Sequence, residues 1–293
     1  MFKRQTTGSV VCASCGSLVG VNDDTCYSCG RRNPGLWGYG RALREFGNDL
    51  GFIPLVVGTC SILYVATLLM TVLLGDPIRM ESIFSLFGPS NRALLVFGES
   101  GAVPVFAMGR WWTVLSAGWL HGGLPHLFFN MMMIRELGPP TADIYGAARM
   151  IIIYIAGGVV GFVFSSLGGA VMPQLPLIGG GLYTIGASAP IFGLLGGLMY
   201  YSRRGGSSIV RSTVMGYVLS AVMFGILMPG IDNYAHLGGF VGGYLSGMWL
   251  DPLKRERMDH FFIAAGLVLF SGLAILASIL TVIQEVIAIV RGG

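Results

Sequence analysis

Long apolar stretches separated by short polar connections dominate the pattern of this chain from residue 50 onward. The stretches without Asp, Glu, Lys or Arg are residues 50–75, 111–134, 150–202, 212–231, 233–250 and 260–284. A membrane-spanning helix needs roughly 20 apolar residues. Residues 150–202 suffice for two spans, because residues 168–181 are rich in Gly and Pro and predict a loop. The pattern therefore predicts an all-α polytopic membrane protein with seven transmembrane helices.

Composition agrees with this pattern and excludes an ordinary soluble protein. The 293 residues are 54% hydrophobic and 11% charged, whereas soluble domains carry about 25% charged residues. The 46 glycines suit transmembrane helices that approach one another closely. The first 49 residues are polar and have no apolar core, so we predict no cleavable signal peptide.

The distribution of basic residues predicts the orientation. With a cytoplasmic N-terminus, fourteen of the 18 Lys and Arg residues lie in inner segments, and only Arg79, Arg92, Arg110 and Arg291 lie outside. Basic residues favour the cytoplasmic side, so we expect the N-terminus inside and the C-terminus outside. The absence of an organelle-targeting presequence favours a plasma membrane of bacterial type. The net charge of +4 forms no basic stripe, so we expect no nucleic-acid partner.

Shifts in composition divide the chain into four regions. Residues 1–34 form a small cysteine-containing module, and residues 35–49 form a basic and aromatic linker. Residues 50–250 form the transmembrane core, and residues 251–293 hold the seventh helix and the C-terminus. The loop over residues 76–110 is half apolar and broken by prolines, which predicts that it lies partly in the outer leaflet.

Four cysteines near the N-terminus predict a structural metal site. Cys12, Cys15, Cys26 and Cys29 form two Cys-x-x-Cys pairs, and two such pairs give the tetrahedral sulfur site typical of a zinc ribbon. Iron uses the same ligand set. Disulfides are the other alternative, although a reducing cytoplasm disfavours them. The module could bind a cytoplasmic protein or nothing beyond its metal.

Strongly polar residues inside the predicted spans are candidates for function, because such residues are costly in a bilayer. His126 and Asn130 in the second span, Ser188 in the fourth and His236 in the sixth are near the outer ends of their spans. His126 and Asn130 are four residues apart and share one helix face. The common depth of all four residues predicts a shared site. Each of them alone would be an ordinary helix-start or helix-packing residue.

The chemistry of these residue types suits acyl transfer. A serine hydroxyl needs an adjacent base, and His236 can activate Ser188 if their helices pack together. The His126 ring, the Asn130 amide and the backbone N–H of Ser188 are candidate donors to an oxyanion. Asp232 precedes the sixth span and is expected to face water, so the pattern predicts a Ser-His dyad without an acidic third member.

Small residues on the sixth span support the required helix approach. Gly239, Gly243 and Gly247 recur every four residues, and small residues at this period let a neighbouring helix come close. Close packing there would bring His236 to Ser188.

The motifs together resemble those of the rhomboid family of intramembrane serine proteases. They are His121-x4-His126-x3-Asn130, Gly186-Ala187-Ser188 and Ala235-His236-x-x-Gly239-x3-Gly243, in that order. The resemblance covers about residues 50–250. It implies a six-helix core, extended here by a seventh helix and the cysteine module. It also implies that Ser188 is the nucleophile, that His236 is the base and that His126 and Asn130 line the oxyanion hole.

The resemblance adds two supporting residues and one departure. His121 matches a supporting histidine of the family, and Phe192 matches an aromatic residue that stacks on the base. The family has glycine after the serine, whereas this chain has Ala189 followed by Pro190. The extra methyl group could crowd the substrate backbone or limit the local φ, and we interpret the chain as an active enzyme with altered specificity.

Three functions remain open from the sequence. The first is an endopeptidase that cuts transmembrane segments of other membrane proteins near the outer leaflet, with no catalytic cofactor. The second is an inactive relative that binds client helices, for which Ala189 is the only support. The third is a transporter or channel that uses the intramembrane histidines for protons, which predicts carboxylates within the apolar stretches, where none occurs.

Overall fold

The computed structural model describes most of the chain, with gaps. The described residues are 4–12, 17–30, 32–38, 48–172, 180–228, 230–254 and 256–292, with side chains only to residue 284 in the last range. The α-helices are α1 (Phe52–Leu73), α2 (Asn91–Phe97), α3 (Thr113–Ser116), α4 (Leu124–Tyr145), α5 (Ala147–Val171), α6 (Ser188–Arg204), α7 (Ser208–Leu227), α8 (Asn233–Leu250) and α9 (Met258–Gly292). The strands are β1 (Ser9–Val11) and β2 (Leu18–Gly20).

Each predicted transmembrane stretch overlaps at least one of the helices α1 and α4 to α9, which confirms the all-α class. Four helices are long and apolar enough to cross a membrane by length and composition, namely α1, α5, α7 and α9 up to Gln284. Helix α6 has only 17 residues, and α4 carries Arg135, Glu136 and Asp143 in its second half. The number of seven spans therefore stays a prediction.

Helix α8 lies between α5 and α6 and contacts both through glycines. On one face, a Cβ at Gly239 or Gly243 would overlap backbone carbonyl oxygens of α6. On the other face, a Cβ at Gly238 or Gly242 would lie 2.7 Å and 2.6 Å from side-chain atoms of α5. Such close backbone packing is typical of small residues between membrane helices. It holds the beginnings of α6 and α8 side by side.

Helix α7 is packed much more loosely. Among its residues only Val214 and Gly225 are buried. Its N-terminus is capped by Ser207, whose hydroxyl accepts a hydrogen bond from the N–H of Val210. The Tyr217 hydroxyl donates a 3.3 Å hydrogen bond to Glu136 of α4. Since α7 has so little buried surface, its position depends on a few contacts.

The chain between α1 and α4 folds into short elements instead of a simple loop. Helix α2 is capped by the Ser90 hydroxyl and ends at Gly98, which has a φ of 99°. One-turn elements follow at Val103–Ala107 and Ala117–Trp119. We expected the second span to open with His121, within the uncharged run that starts at residue 111, but α4 begins only at Leu124. The reason is local: Gly122 and Gly123 interrupt the apolar run, and Pro125 starts a new helix in its first turn.

Helix α9 packs against α5 and against the short elements α2 and α3. The indole Nε1 of Trp112, just before α3, donates a 3.0 Å hydrogen bond to the Ser278 hydroxyl of α9. At the opposite end, the Arg149 guanidinium of α5 donates to the carbonyls of Leu250, Asp251 and Lys254. These hydrogen bonds hold the connection from α8 to α9 against α5.

The N-terminal module is a small hairpin with its own core. Strands β1 and β2 are antiparallel, and Val10 pairs with Val19. The buried residues are Val10, Cys12, Val19, Val21 and Cys26. The linker residues 39–47 lie outside the described residues, so the domain boundaries stay a prediction.

Candidate active site

Ser188 and His236 are in hydrogen-bond contact. Ser188 is the first residue of α6, and His236 is in the first turn of α8. The Ser188 Oγ lies 2.9 Å from the His236 Nε2. Phe192, one turn after Ser188, stacks on the His236 ring with centroids 4.3 Å apart and planes 12° apart. The histidine ring is thereby held with one nitrogen at the serine hydroxyl.

The other ring nitrogen of His236 has no acidic partner in the described part of the chain. Its Nδ1 is buried there without a hydrogen bond. Asp232 is half-buried instead of facing water, which corrects our expectation. Its carboxylate accepts from the Ala235 N–H at 2.9 Å and from the Ser165 hydroxyl of α5. Asp232 therefore caps α8 and ties it to α5, and the Ser188–His236 pair has no acidic third member among the described residues.

The His126 ring faces the serine hydroxyl across Gly186. A Cβ at Gly186 would lie 2.7 Å from the His126 Nε2 and 3.6 Å from the Ser188 Oγ. Gly186 has a φ of 124°, a conformation that other residues rarely adopt. The Gly122 N–H donates to the His126 Nδ1 at 3.3 Å. In the neutral ring the proton is then on Nε2, which makes His126 a donor toward the serine.

Asn130 lies one turn after His126 on the same helix face. It is buried, and its Nδ2 donates a 2.9 Å hydrogen bond to the His126 carbonyl. A side-chain amide has two N–H donors, so one remains for a ligand. Asn130 and His126 both line the cavity that holds Ser188.

His121 lies behind His126 and does not line that cavity. It precedes α4 instead of opening it, and it is completely buried. Its ring centroid is 5.1 Å from that of His126. Neither ring nitrogen has a hydrogen-bond partner among the described residues. His121 contacts the His126 ring, and its supporting role stays a prediction.

Ala189 does not crowd the cavity, contrary to our expectation. Its methyl group is fully buried, and Ala189 is not among the cavity-lining residues. A Cβ at Gly161 of α5 would lie 3.0 Å from the Ala189 Cβ. The methyl group therefore points into the interface with α5, where the glycine leaves room for it.

The cavity has a volume of about 590 Å³ and two chemically different ends. Its polar end includes Arg79, Asn91 and Glu99 from the chain between α1 and α4. Its apolar end lies between α4 and α7 and includes Met133 and Phe224. The serine and histidine pair lines the same cavity.

Sequence reasoning missed Phe84, which links three parts of the cavity. Its ring meets the His126 ring edge-on with centroids 6.4 Å apart and the Phe224 ring of α7 with centroids 5.4 Å apart. It also contacts the Phe129 ring of α4. The only signal was the half-apolar character of its loop. Glu99 and Arg79 belong to no motif and were missed too.

Three of the four predicted metal ligands are together in the N-terminal module. The sulfur atoms of Cys12, Cys26 and Cys29 lie within 4.8 Å of one another, and those of Cys12 and Cys29 are 3.8 Å apart. A zinc–sulfur distance of about 2.3 Å places the sulfurs of a tetrahedral site about 3.8 Å apart, so the set fits zinc. Cys15 lies outside the described residues.

Fold and site together define a helical membrane protein with a serine and histidine pair beside a cavity. The Rhomboid domain profile matches residues 108–253. The chain is 30% identical over 160 residues to putative rhomboid protease YdcA of Bacillus subtilis (strain 168), covering 52% of this chain and 72% of the relative. The chain therefore belongs to the rhomboid family, and it is an integral membrane protein.

Two further relatives are longer proteins. RHOMBOID-like protein 4 of Arabidopsis thaliana is 33% identical over 169 residues, 56% of this chain and 40% of the relative. Rhomboid protease GluP of Bacillus subtilis (strain 168) is 29% identical over 189 residues, 62% of this chain and 34% of the relative. This chain thus spans less than half the length of both relatives.

Proposed function

We propose that this chain is an intramembrane serine endopeptidase that cuts transmembrane segments of other membrane proteins near the outer leaflet. The observation that carries the proposal is the 2.9 Å contact between the Ser188 Oγ and the His236 Nε2. A serine is a useful nucleophile only with such a base. Membership of a family that includes named rhomboid proteases supports the same conclusion.

In the proposed acylation step, His236 accepts the Ser188 hydroxyl proton on Nε2 while Oγ attacks the peptide carbonyl carbon. The carbonyl oxygen becomes an oxyanion, for which the His126 Nε2–H, the second Asn130 N–H and the Ser188 backbone N–H are donors. The carbon–nitrogen bond then breaks, and His236 passes its proton to the leaving amine. Ser188 is left as an ester of the substrate.

Water completes the reaction from the polar end of the cavity. His236 Nε2 takes a proton from the water molecule, and the hydroxide attacks the ester carbonyl. The Oγ–carbon bond breaks, and Ser188 recovers its proton from His236. The stacked Phe192 keeps the imidazole in place through both steps, which is the positioning that a base needs.

The apolar end of the cavity suits the entry of a transmembrane substrate. Residues of both α4 and α7 line it, and α7 has the least buried surface of the long helices around it. A substrate helix that enters there would displace α7 and the Phe84–Phe224 contact before it meets Ser188. Only a few contacts would have to break.

The alternative within the family is a catalytically inactive protein that binds client helices. Its support in the sequence was Ala189, whose methyl group is buried against Gly161 outside the cavity. The arrangement of Ser188 and His236 favours the enzyme.

Labelling with a fluorescent fluorophosphonate tests the proposal on the detergent-purified protein. We expect the wild type to be labelled, and Ser188→Ala and His236→Ala to lose labelling because the first lacks the nucleophile and the second lacks its base. The matched control is Ser220→Ala, a serine of α7 in the same cavity that should leave labelling unchanged. A folded wild type without labelling would contradict the enzyme and favour the client-binding protein.

For the N-terminal module we propose a structural zinc bound by Cys12, Cys15, Cys26 and Cys29, on the cytoplasmic side of a bacterial-type plasma membrane. The C-terminus is then outside. Elemental analysis should find one zinc per chain, and Cys26→Ser should lose it. Iron instead of zinc would contradict the proposed identity of the metal. Cleavage of residues 1–34 by a protease added from the periplasmic side would contradict the proposed orientation.

A further inference from the structure

Glu99 lies on the cavity wall with an unused carboxylate oxygen. Its side chain comes from the turn after α2 and lines the cavity that holds Ser188 and His236. The residue is only 4% exposed, and its Oε2 is buried without a hydrogen-bond partner among the described residues. An unsatisfied buried carboxyl oxygen is costly, so its retention in a cavity suggests a ligand that satisfies it.

Backbone pairing keeps Glu99 close to the nucleophile. The next residue, Ser100, forms an antiparallel bridge with Thr184, with hydrogen bonds of 3.1 Å and 2.8 Å between their backbones. Thr184 is four residues before Ser188, and four residues span at most about 14 Å. Glu99 and Ser188 also line one cavity of about 590 Å³. A sphere of that volume is roughly 10 Å across, and four extended residues span up to about 14 Å, so a peptide of about four residues bound at Ser188 is long enough to reach Glu99.

The neighbouring charges leave this oxygen available. Arg79 lines the same cavity, but its guanidinium hydrogen-bonds to Asn91 at 2.8 Å and lies 3.5 Å from the exposed Glu81 carboxylate. The carboxylate of Asp232 is occupied by Ser165 and by the backbone of Ala235. The buried hydroxyl of Thr184 also lacks a partner in the described part of the chain. The cavity wall thus includes two residues, Glu99 and Thr184, that each have a buried polar atom without a hydrogen-bond partner among the described residues.

We propose that Glu99 and Thr184 form a subsite that recognises a cationic side chain, arginine or lysine, of the substrate within four residues of the cleaved bond. The proposal rests on the proposed protease function and names the class of substrate for that site. A guanidinium or ammonium group supplies the donors that Oε2 lacks, and charge-assisted hydrogen bonds are the strong ones. Glu99 is a specificity residue, because it binds substrate away from the reacting atoms.

The protonation state of Glu99 before substrate binds supports this assignment. Burial raises the pKa of Glu99 to about 8, although the nearby Arg79 lowers it. At neutral pH the empty subsite therefore holds mostly a neutral carboxyl group. An arriving cation favours the ionised form, so the charge develops only when its partner is present.

Peptide aldehydes test the subsite on the full-length protein. The Ser188 hydroxyl adds reversibly to the aldehyde carbon and its proton moves to the new hemiacetal oxygen, so these compounds compete with fluorophosphonate labelling. The set is acetyl-tetrapeptide aldehydes of alanine, with arginine, lysine, methionine or aspartate at each position in turn. At one position we expect arginine and lysine to compete about tenfold better than methionine, as a charged hydrogen bond implies.

Two variants test whether Glu99 causes the preference for arginine and lysine. Glu99→Gln should reduce the preference to less than about twofold while labelling remains, because the amide keeps the shape and loses the charge. Glu81→Gln is the matched control, since this exposed carboxylate of the same loop interacts with Arg79, and it should keep the full preference.

Every other outcome contradicts the subsite, the role of Glu99 or the protease function. Equal competition at all four positions by the wild type overturns the subsite even if Glu99→Gln fails to fold, and the protease assignment then still stands. A preference that persists in Glu99→Gln overturns the role of Glu99. A folded wild type that fluorophosphonate does not label overturns the protease and, with it, the subsite.

Discussion

Helices α8 and α7 border the same cavity and differ in how they are held. Seven residues of α8 are buried, five of them glycines that contact α5 and α6. Only Val214 and Gly225 of α7 are buried. The dyad lies on the tightly packed side, where a shift of a fraction of an ångström would separate Nε2 from Oγ. The loosely packed side carries no residue of the dyad, and a substrate helix could move it without disturbing the dyad.

The largest effect should come from a side chain inserted into the tight interface. In Gly243→Val the Cβ would overlap the Gly193 carbonyl oxygen, and overpacking costs about 1–3 kcal/mol or more. We expect labelling of Ser188 to fall below detection and the unfolding temperature in detergent to fall.

The control for this variant lies on the loose side. A Cβ at Gly216 of α7 would have no atom within 4 Å, so Gly216→Val should keep labelling and stability. Equal damage from both substitutions would contradict the difference between the two helices.

A smaller loss is expected from the oxyanion donors, which α4 places opposite the dyad. His126→Ala removes the Nε2–H directed toward Gly186 and should lower the cleavage rate of a peptide substrate by about 10²–10³, as for other oxyanion donors. His260→Ala on α9 removes a histidine outside the cavity and should have no effect. An unchanged rate in His126→Ala would place the oxyanion elsewhere.

Protonation of Glu99, which lies outside both helices of the comparison, should change the stability of the whole fold more moderately. Its pKa is raised from 4.5 to about 8 by burial, so the folded state holds the proton more strongly than the unfolded state. The stabilisation is complete below pH 4.5 and is lost as pH rises through about 8. Between pH 5 and 9 the unfolding temperature should fall by several degrees more in the wild type than in Glu99→Gln. Parallel pH curves for the two proteins would contradict the raised pKa.

The smallest effect should come from the hydrogen bond between α7 and α4. Tyr217→Phe removes the 3.3 Å contact with Glu136, and an exposed hydrogen bond contributes about 0.5–1 kcal/mol. We expect cleavage of a transmembrane substrate to speed up by about two- to fivefold, with no change for a short peptide that enters from the polar end. Tyr200→Phe on α6 is the matched control. Slower cleavage in Tyr217→Phe would mean that the Tyr217–Glu136 hydrogen bond is needed to keep the active site in its productive arrangement.

The sequence predicted the helical class. It also identified the dyad residues as candidates, because polar residues are rare in apolar spans. Ser188, His236, His126 and Asn130 could be grouped from depth and spacing alone. The position of His121 was wrong, because apolarity does not distinguish a helix from short turns before Leu124. Glu99 and Phe84 could not be found, since their places depend on the Ser100–Thr184 pairing and on ring contacts between segments distant in sequence. The half-buried Asp232 was missed because its partner Ser165 is on another helix.

The hydrogen bond from Trp112 to Ser278 has a consequence for biosynthesis. A chain is made and inserted from its N-terminus, so Ser188 and His236 reach the bilayer before α9 does. The segment that leads into α4 then gains its contact with α9 only after α9 has been made. A newly made chain can therefore bring Ser188 and His236 together before the segment that leads into α4 is fixed to α9.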